Sequence, residues 1–291
     1  MGLTYYLGLA INGVIEGLII GLAALALNLV FAVARFPNAA TGDLMTMGAY
    51  AGIAVQQAGS RNLLLQGLAA VAAAMALSVA MYLFAFRALR GRTMLSPLLA
   101  SIGLALLARS LLSLFVGHEQ YVFRMPIVRP WMLAGVPIQA NDLWLACIAI
   151  VCVAVTFAVL FLTPIGRQMR AVADDLTLAR ASGIRADRVL LALWLLVGFI
   201  CGVAGMVLGV RTVVMPEMGW NILLPAFAAA VLGGVGSPVG AVVAALVLGV
   251  AQELSTPFLG FTYKIALSFA VLIAILAVRP AGLFGHVERV R

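Results

Sequence analysis

Charge is what this sequence has least of. Only 10% of its 291 residues are Asp, Glu, Lys or Arg, against about 25% in an ordinary soluble domain. Lysine is nearly absent, Lys264 being the single one. The three cysteines, Cys147, Cys152 and Cys201, stand singly inside apolar runs, which argues against a disulfide scaffold or a thiolate metal site. His118 and His286 are isolated, with no second ligand at metal spacing, so no metal is expected. There is no GxxxxGK[ST] loop to cradle nucleotide phosphates, and no nucleophile stands beside a base at a recognisable spacing. What remains is apolar: 65% of the residues are hydrophobic. Runs of about 20 such residues cross roughly 30 Å of hydrocarbon, and several of them use up residues 1–291 as one transmembrane domain.

The expected fold is all-α, a polytopic membrane helix bundle of eight or nine segments. The first, within the opening 33 residues, has no basic region before it and no small-residue cleavage site, so it is read as a retained span. Apolar runs follow at Leu44–Val55, Leu63–Phe86, Met94–Val116, Leu143–Leu162, Val189–Val210, Ile222–Leu232, Val239–Leu254 and Ile265–Val278. The second and the Ile222–Leu232 runs are short for a crossing, which suggests broken, tilted or re-entrant segments. Arginine placement sets the orientation. With nine crossings, Arg87, Arg90 and Arg92, the Arg167–Arg188 cluster, and Arg279, Arg289 and Arg291 fall on one side with Arg35. Arg61, Arg124, Arg129, Arg211 and Lys264 fall on the other. The bias predicts an outer N-terminus and a cytoplasmic C-terminus.

Glycines repeat at four-residue spacing: Gly13, Gly17 and Gly21 in the first span, then Gly198 and Gly202, and Gly205 and Gly209, in the sixth. Small residues at this interval let helix backbones approach closely in lipid; a close approach to a translocation path is the other reading. Gly233, Gly234, Gly236 and Pro238 read as a turn between helices. Glu16 and Arg109 are intramembrane charges at similar expected depth, either an ion pair or part of a substrate path. Asn12 lies one helical turn before Glu16 on the same face. Glu217 and Glu253 are expected to face solvent or a docking partner.

The longest polar stretch, residues 164–189, has a helical pattern. Met169, Val172, Leu176 and Ala179 form an apolar stripe with Arg170, Asp174 and Arg180 beside or behind it. Gly183 stands where a left-handed cap is expected, and Asp187 at the start of the next helix. The reading is one short amphipathic helix outside the bilayer, its apolar stripe suited to a groove on a partner.

In GRQMRAVADDLTLARASGI these residues resemble the EAA-type coupling loop of ABC importer permeases, in the form found in branched-chain amino acid permeases of the LivH type. NAATGDLMTMGAY, FAAAVLGGVGSPVG and RPAGLFG are similar to other segments of that family, in the expected order. Ala39 and Thr41 depart from the phenylalanine and histidine usual there. The resemblance implies a transport subunit, not an enzyme, in the bacterial cytoplasmic membrane. It binds no cofactor itself; ATP is used by separate ATPase subunits docked on the loop bearing Arg167, Arg170, Asp174, Ala179, Arg180, Gly183 and Arg188. A second permease, homologous or identical, and an extracellular or periplasmic solute-binding protein are the other implied partners, and no nucleic acid is expected. Asn12, Glu16, Asn38, Thr41 and Arg109 are the substrate-path candidates. The alternative is an ion-coupled secondary transporter or channel working alone, which would want intramembrane acidic relays and internal repeats.

Overall fold

The computed structural model describes residues 3–126, 128–133, 136–260, 263–278 and 282–284; the tail arginines and His286 lie outside them. The described residues form eleven α-helices and one small hairpin. The helices are α1 (Leu3–Ala34), α2 (Thr41–Gln57), α3 (Leu63–Met81), α4 (Leu95–Val116), α5 (Ala140–Leu162), α6 (Pro164–Asp174), α7 (Leu176–Ala181), α8 (Ala186–Arg211), α9 (Met218–Gly233), α10 (Pro238–Leu259) and α11 (Lys264–Val278). The hairpin pairs β1 (Trp131–Leu133) antiparallel with β2 (Val136–Ile138). Among the described residues, six helices are long and apolar enough to cross a membrane: α1, α3 with the turn after it, α4, α5, α8 and α10.

Burial separates a core from a rim. The apolar windows of α1 and α8 are 83% and 72% buried, whereas those of α3, α4 and α5 are 22–28% buried. A helix that is apolar all round and enclosed by others is a core helix. The outer three present Leu68, Phe115 and Val151 outward, as lipid-facing helices do.

The glycine repeats are packing faces. A Cβ on Gly13 or Gly17 would lie 2.6 or 2.8 Å from the α10 backbone at Val250 or Leu246, so α1 and α10 touch backbone to backbone. Gly198 and Gly202 stand equally close to Met75 and Val71 of α3, while Gly205 and Gly209 face Met45 and Ala49 of α2. One stripe on α8 thus receives two neighbours.

These contacts also give heights. Along α8, a 26-residue helix, Gly205 is level with Met45 and Gly209 with Ala49. Thr41 therefore begins α2 near the middle of α8, and the helix runs toward Gln56, which bonds the α4–α5 connection at Val122 and Arg124. Gly42 and Gly219 meet backbone to backbone, so α9 begins at the same height. It runs the other way, to a turn held by Asn28 of α1, whose amide donates to the Gly234 carbonyl (3.1 Å) and accepts from the Gly236 N–H (3.0 Å). The two short runs are helices of 17 and 16 residues whose N-termini share one mid-height point. The glycine-rich turn is as expected, with Gly234 and Gly236 at φ +99° and +89°.

Candidate functional site

The chain leaves α5 through an elbow. Thr163 is extended (φ −94°, ψ 155°), Pro164 opens α6, and the Thr163 hydroxyl accepts from the Gly166 N–H at 3.2 Å. Proline at the first helical position behind a hydroxyl cap is a strong helix start. Gly166 has no room for a side chain, since a Cβ there would strike the Val159 and Leu160 carbonyls.

The single amphipathic helix expected here is two. Asp175 breaks it with extended backbone (φ −150°, ψ 110°) and caps α7, its carboxylate accepting from Thr177 N–H (2.7 Å) and Leu178 N–H (3.0 Å). Gly183 closes α7 in the left-handed region at φ +82°, as expected, and Asp187 lies in the first turn of α8. The apolar stripe does not await a partner. Met169, Val172 and Ala179 are buried against the chain's own bundle, and Leu176 is exposed. The outward surface is formed by Arg167, Leu178, Arg188 and the ends of α7. Arg170 is committed to the elbow, where it donates to the Leu160 carbonyl and lies over the Phe161 ring at 5.5 Å. Asp174 is exposed at its side chain, and Arg180 is exposed at the rim of a cavity.

Arg35, unremarked in the sequence except as a charge, links this elbow to the core. Its guanidinium donates to the last carbonyls of α6, Ala173 (2.7 Å) and Asp174 (2.9 Å), which a helix end leaves without intrahelical partners. Its φ is +61°, a left-handed conformation costly for a residue with a Cβ. From Arg35 the chain turns back along Phe36–Ala40 into α2 at mid-height. A displacement of α6 and α7 therefore reaches the α2 N-terminus within six residues.

At that height Asp43, in the first turn of α2, is 3% exposed and holds Arg109 of α4. Arg109 Nε and Nη2 donate to Oδ1 at 3.1 and 3.0 Å, and Nη2 also to Oδ2 at 3.2 Å. The guanidinium lies 4.9 Å over Trp220 of α9. A carboxylate near a helix N-terminus offsets the positive end of the helix dipole, so Asp43 serves both α2 and Arg109. The suggested Glu16–Arg109 pair is corrected: Glu16, half-buried, has Arg211 of α8 at 3.8 Å. Glu253 is also not a solvent-facing group, being 9% exposed and paired with Lys264. Asn12 is exposed on α1. Asn38 and Thr41 are fully buried beside the α2 start. Asn38 Oδ1 accepts from Ala40 N–H (3.1 Å), the Thr41 hydroxyl donates to the Asn38 carbonyl (2.9 Å), and Asn38 Nδ2 has no acceptor among the described residues. The structure thus gathers Asn38, Thr41 and Arg109 near mid-height and leaves Asn12 and Glu16 apart from them.

The Asp175 carboxyl is held below its usual 3.8 by the Leu178 and Thr177 N–H groups, with Arg35 a smaller contributor. Folding therefore favours the carboxylate. The cap is fully present above 3.8 and is lost as pH falls through the lowered value. Asp175→Ala is expected to give several-fold faster amide exchange over residues 177–182 at neutral pH, while Asp175→Asn, which keeps a capping oxygen, retains slow exchange.

The family model described as "Branched-chain amino acid transport system / permease component" matches residues 9–276. LivH permeases of the high-affinity branched-chain amino acid transport system from Escherichia coli K12 and Salmonella typhimurium LT2 are 29% identical, over 98% of this chain and 97% of theirs. BraD of Pseudomonas aeruginosa is 30% identical over the same shares. Among solved structures, an inward-facing metal-chelate type ABC transporter aligns with a TM-score of 0.55 over 92% of this chain and 85% of that one. At 14% identity it shows the fold alone. The chain is a multi-pass membrane protein, and it belongs to the family of permease components of branched-chain amino acid transport systems.

Proposed function

We propose that this chain is the permease subunit of an ABC importer, carrying branched-chain or related amino acids delivered by a solute-binding protein and driven by ATP hydrolysis on separate subunits. The observation that carries this is the end-to-end similarity to LivH and BraD, 97% of each relative being covered. The elbow at Thr163–Arg188 supports it, because it presents a capped surface helix on a rigid base tied to the central helix through Arg35. Family membership also speaks against the alternative of an ion-coupled transporter working alone.

In this reading nine segments cross, α1 to α5 and α8 to α11, with α2 and α9 completed by the non-helical chain before them. The contacts of the described residues sort into two ends. Arg35, the Arg90–Asp187 ion pair, α6, α7, the α9–α10 turn and Leu283 share one end. The α4–α5 connection and the Tyr121–Val214 bridge lie at the other. The first end is richer in arginine, so it is cytoplasmic and the N-terminus is outside. The membrane is the bacterial inner membrane, and two permeases, alike or homologous, form the path. The closing of the ATPases tilts α6 and α7 as a unit, and Arg35 passes that tilt to α1 and to the α2 start.

Purification of the tagged chain from its native membrane tests the assembly. An ATPase subunit and a second permease are expected in the eluate at stoichiometric amounts. A chain that transports while purifying without an ATPase would be a solo transporter.

A further inference from the structure

At the end of the bundle that carries α6 and α7, a cavity of about 430 Å³ opens between the end of α1, the end of α3, the start of α4 and α7. Arg35, Arg90, Arg92 and Arg180 line it, and no acidic side chain does among the described residues. Nothing in the coupling mechanism uses Arg92, or the free side of Arg90.

The arginines are incompletely satisfied. Arg90 gives one nitrogen to Asp187 and lies over the Tyr82 ring at 5.0 Å, but its buried Nε and Nη2 have no acceptor among the described residues, and neither has the buried Tyr82 hydroxyl. The guanidinium groups of Arg92 and Arg180 are exposed and make no hydrogen bond or close ion pair among the described residues, Arg180 acting on Asp187 only as a nearby charge. The two buried Arg90 nitrogens without acceptors are costly, and with the exposed guanidinium groups of Arg92 and Arg180 on the same cavity they match the several oxygens of a phosphate. The opposite wall is apolar. A five-residue π-helical turn, Tyr82–Phe86, ends α3 and turns Phe86 onto Trp194, the rings stacked at 4.7 Å and 5°, with Phe36 against Phe86 at 5.1 Å. At the mouth of the cavity, Met94 is one of its lining residues and is 46% exposed, and Leu95 next to it at the start of α4 is 65% exposed, where a membrane helix meets acyl chains.

Guanidinium groups at the level where apolar spans stop, over an aromatic floor and beside a lipid-facing flank, form a headgroup site. A free anion would use the arginines but not the apolar surfaces. We infer that this cavity binds the phosphate-bearing headgroup of an anionic lipid, with its chains along Met94 and Leu95. The bound headgroup ties the α3–α4 connection to α7, which places it beside the moving part of the coupling elbow. The inference does not depend on which solute is carried.

The test titrates the purified full-length chain, in neutral detergent, with phosphatidylglycerol, phosphatidylcholine and inorganic phosphate, and counts bound molecules by native mass spectrometry. One phosphatidylglycerol per chain is expected at concentrations where phosphatidylcholine is not retained. Arg92→Gln with Arg180→Gln should weaken it by about 30-fold, from about 1 kcal/mol per arginine. Arg61→Gln with Arg124→Gln, at the other end, should leave it unchanged, and both double variants should keep the wild-type melting temperature in detergent without lipid. Equal retention of the two lipids, or unchanged binding in the Arg92/Arg180 variant, overturns the proposal. Inorganic phosphate binding as tightly as the lipid overturns the lipid assignment. Loss of the copurifying ATPase from that variant, with phosphatidylglycerol still bound, would make the cavity a protein contact and overturn it too.

Discussion

Asp43→Leu should destabilise the folded chain by about 3–5 kcal/mol, because it strands the Arg109 guanidinium at the middle of the bundle. The double variant Asp43→Leu/Arg109→Leu should recover most of that loss, since replacing both members of a buried pair with apolar groups is often close to neutral. The asymmetry follows from the setting. Arg109 has Asp43 as its only carboxylate within 4 Å among the described residues, and an unpaired arginine at bilayer centre costs about 2.5–3.5 kcal/mol even on a lenient scale. Unfolding in mixed detergent micelles measures all three variants. If single and double variants are equally unstable, the pair is not what holds α2 to α4.

Ala179→Pro should abolish coupling while leaving insertion and the transmembrane core intact. Ala179 is 4% exposed, and its N–H donates to the Asp175 carbonyl at 2.9 Å. Proline removes that bond and costs about 3 kcal/mol in a helix interior. A six-residue helix cannot absorb this, so α7 is lost in most molecules. ATP-driven uptake is expected to fall by more than about tenfold, with unchanged amounts of chain in the membrane. Arg180→Glu is a milder test of the same surface. Reversal at Arg170 tests something else, because that guanidinium is tied to the elbow at Leu160 and Phe161. Wild-type uptake by the proline variant would remove α7 from the coupling route.

Several features were readable in the sequence because they are periodic. The apolar runs became α1 to α5 and α8 to α11, and the glycine repeats marked backbone-close faces on α1 and α8, since both follow from the helical repeat alone. Azimuth and height do not. Glu16 and Arg109 are expected at similar depth, yet α1 meets α10 through Gly13 and Gly17 and its carboxylate faces Arg211, the last residue of α8, whereas Arg109 meets the start of α2 near the middle of α8. Asp43 lies just before the apolar run that starts at Leu44, so hydropathy does not mark it, yet it belongs to the first turn of a helix that begins deep in the bundle.

The coupling stretch failed for a related reason. Met169, Val172, Leu176 and Ala179 keep helical spacing straight through Asp175, so periodicity joined two helices into one. The signal for the break was local: an Asp followed by Leu-Thr-Leu is a good N-cap, and a cap implies a start. Spacing shows that the stripe is apolar but not what covers it, and Met169, Val172 and Ala179 are covered by the chain's own bundle, not by a partner. Arg35 gave no sign in the sequence, because what matters about it is two carbonyls 138 and 139 residues away.

Reconstitution tests the central claim most directly. Proteoliposomes holding this chain with the proposed second permease and ATPase subunits, supplied with the proposed binding protein, should accumulate leucine, isoleucine or valine only when ATP is present on the elbow side. Accumulation driven by an ion gradient without ATP or the ATPase, or no uptake of any of the three under full reconstitution, would contradict it.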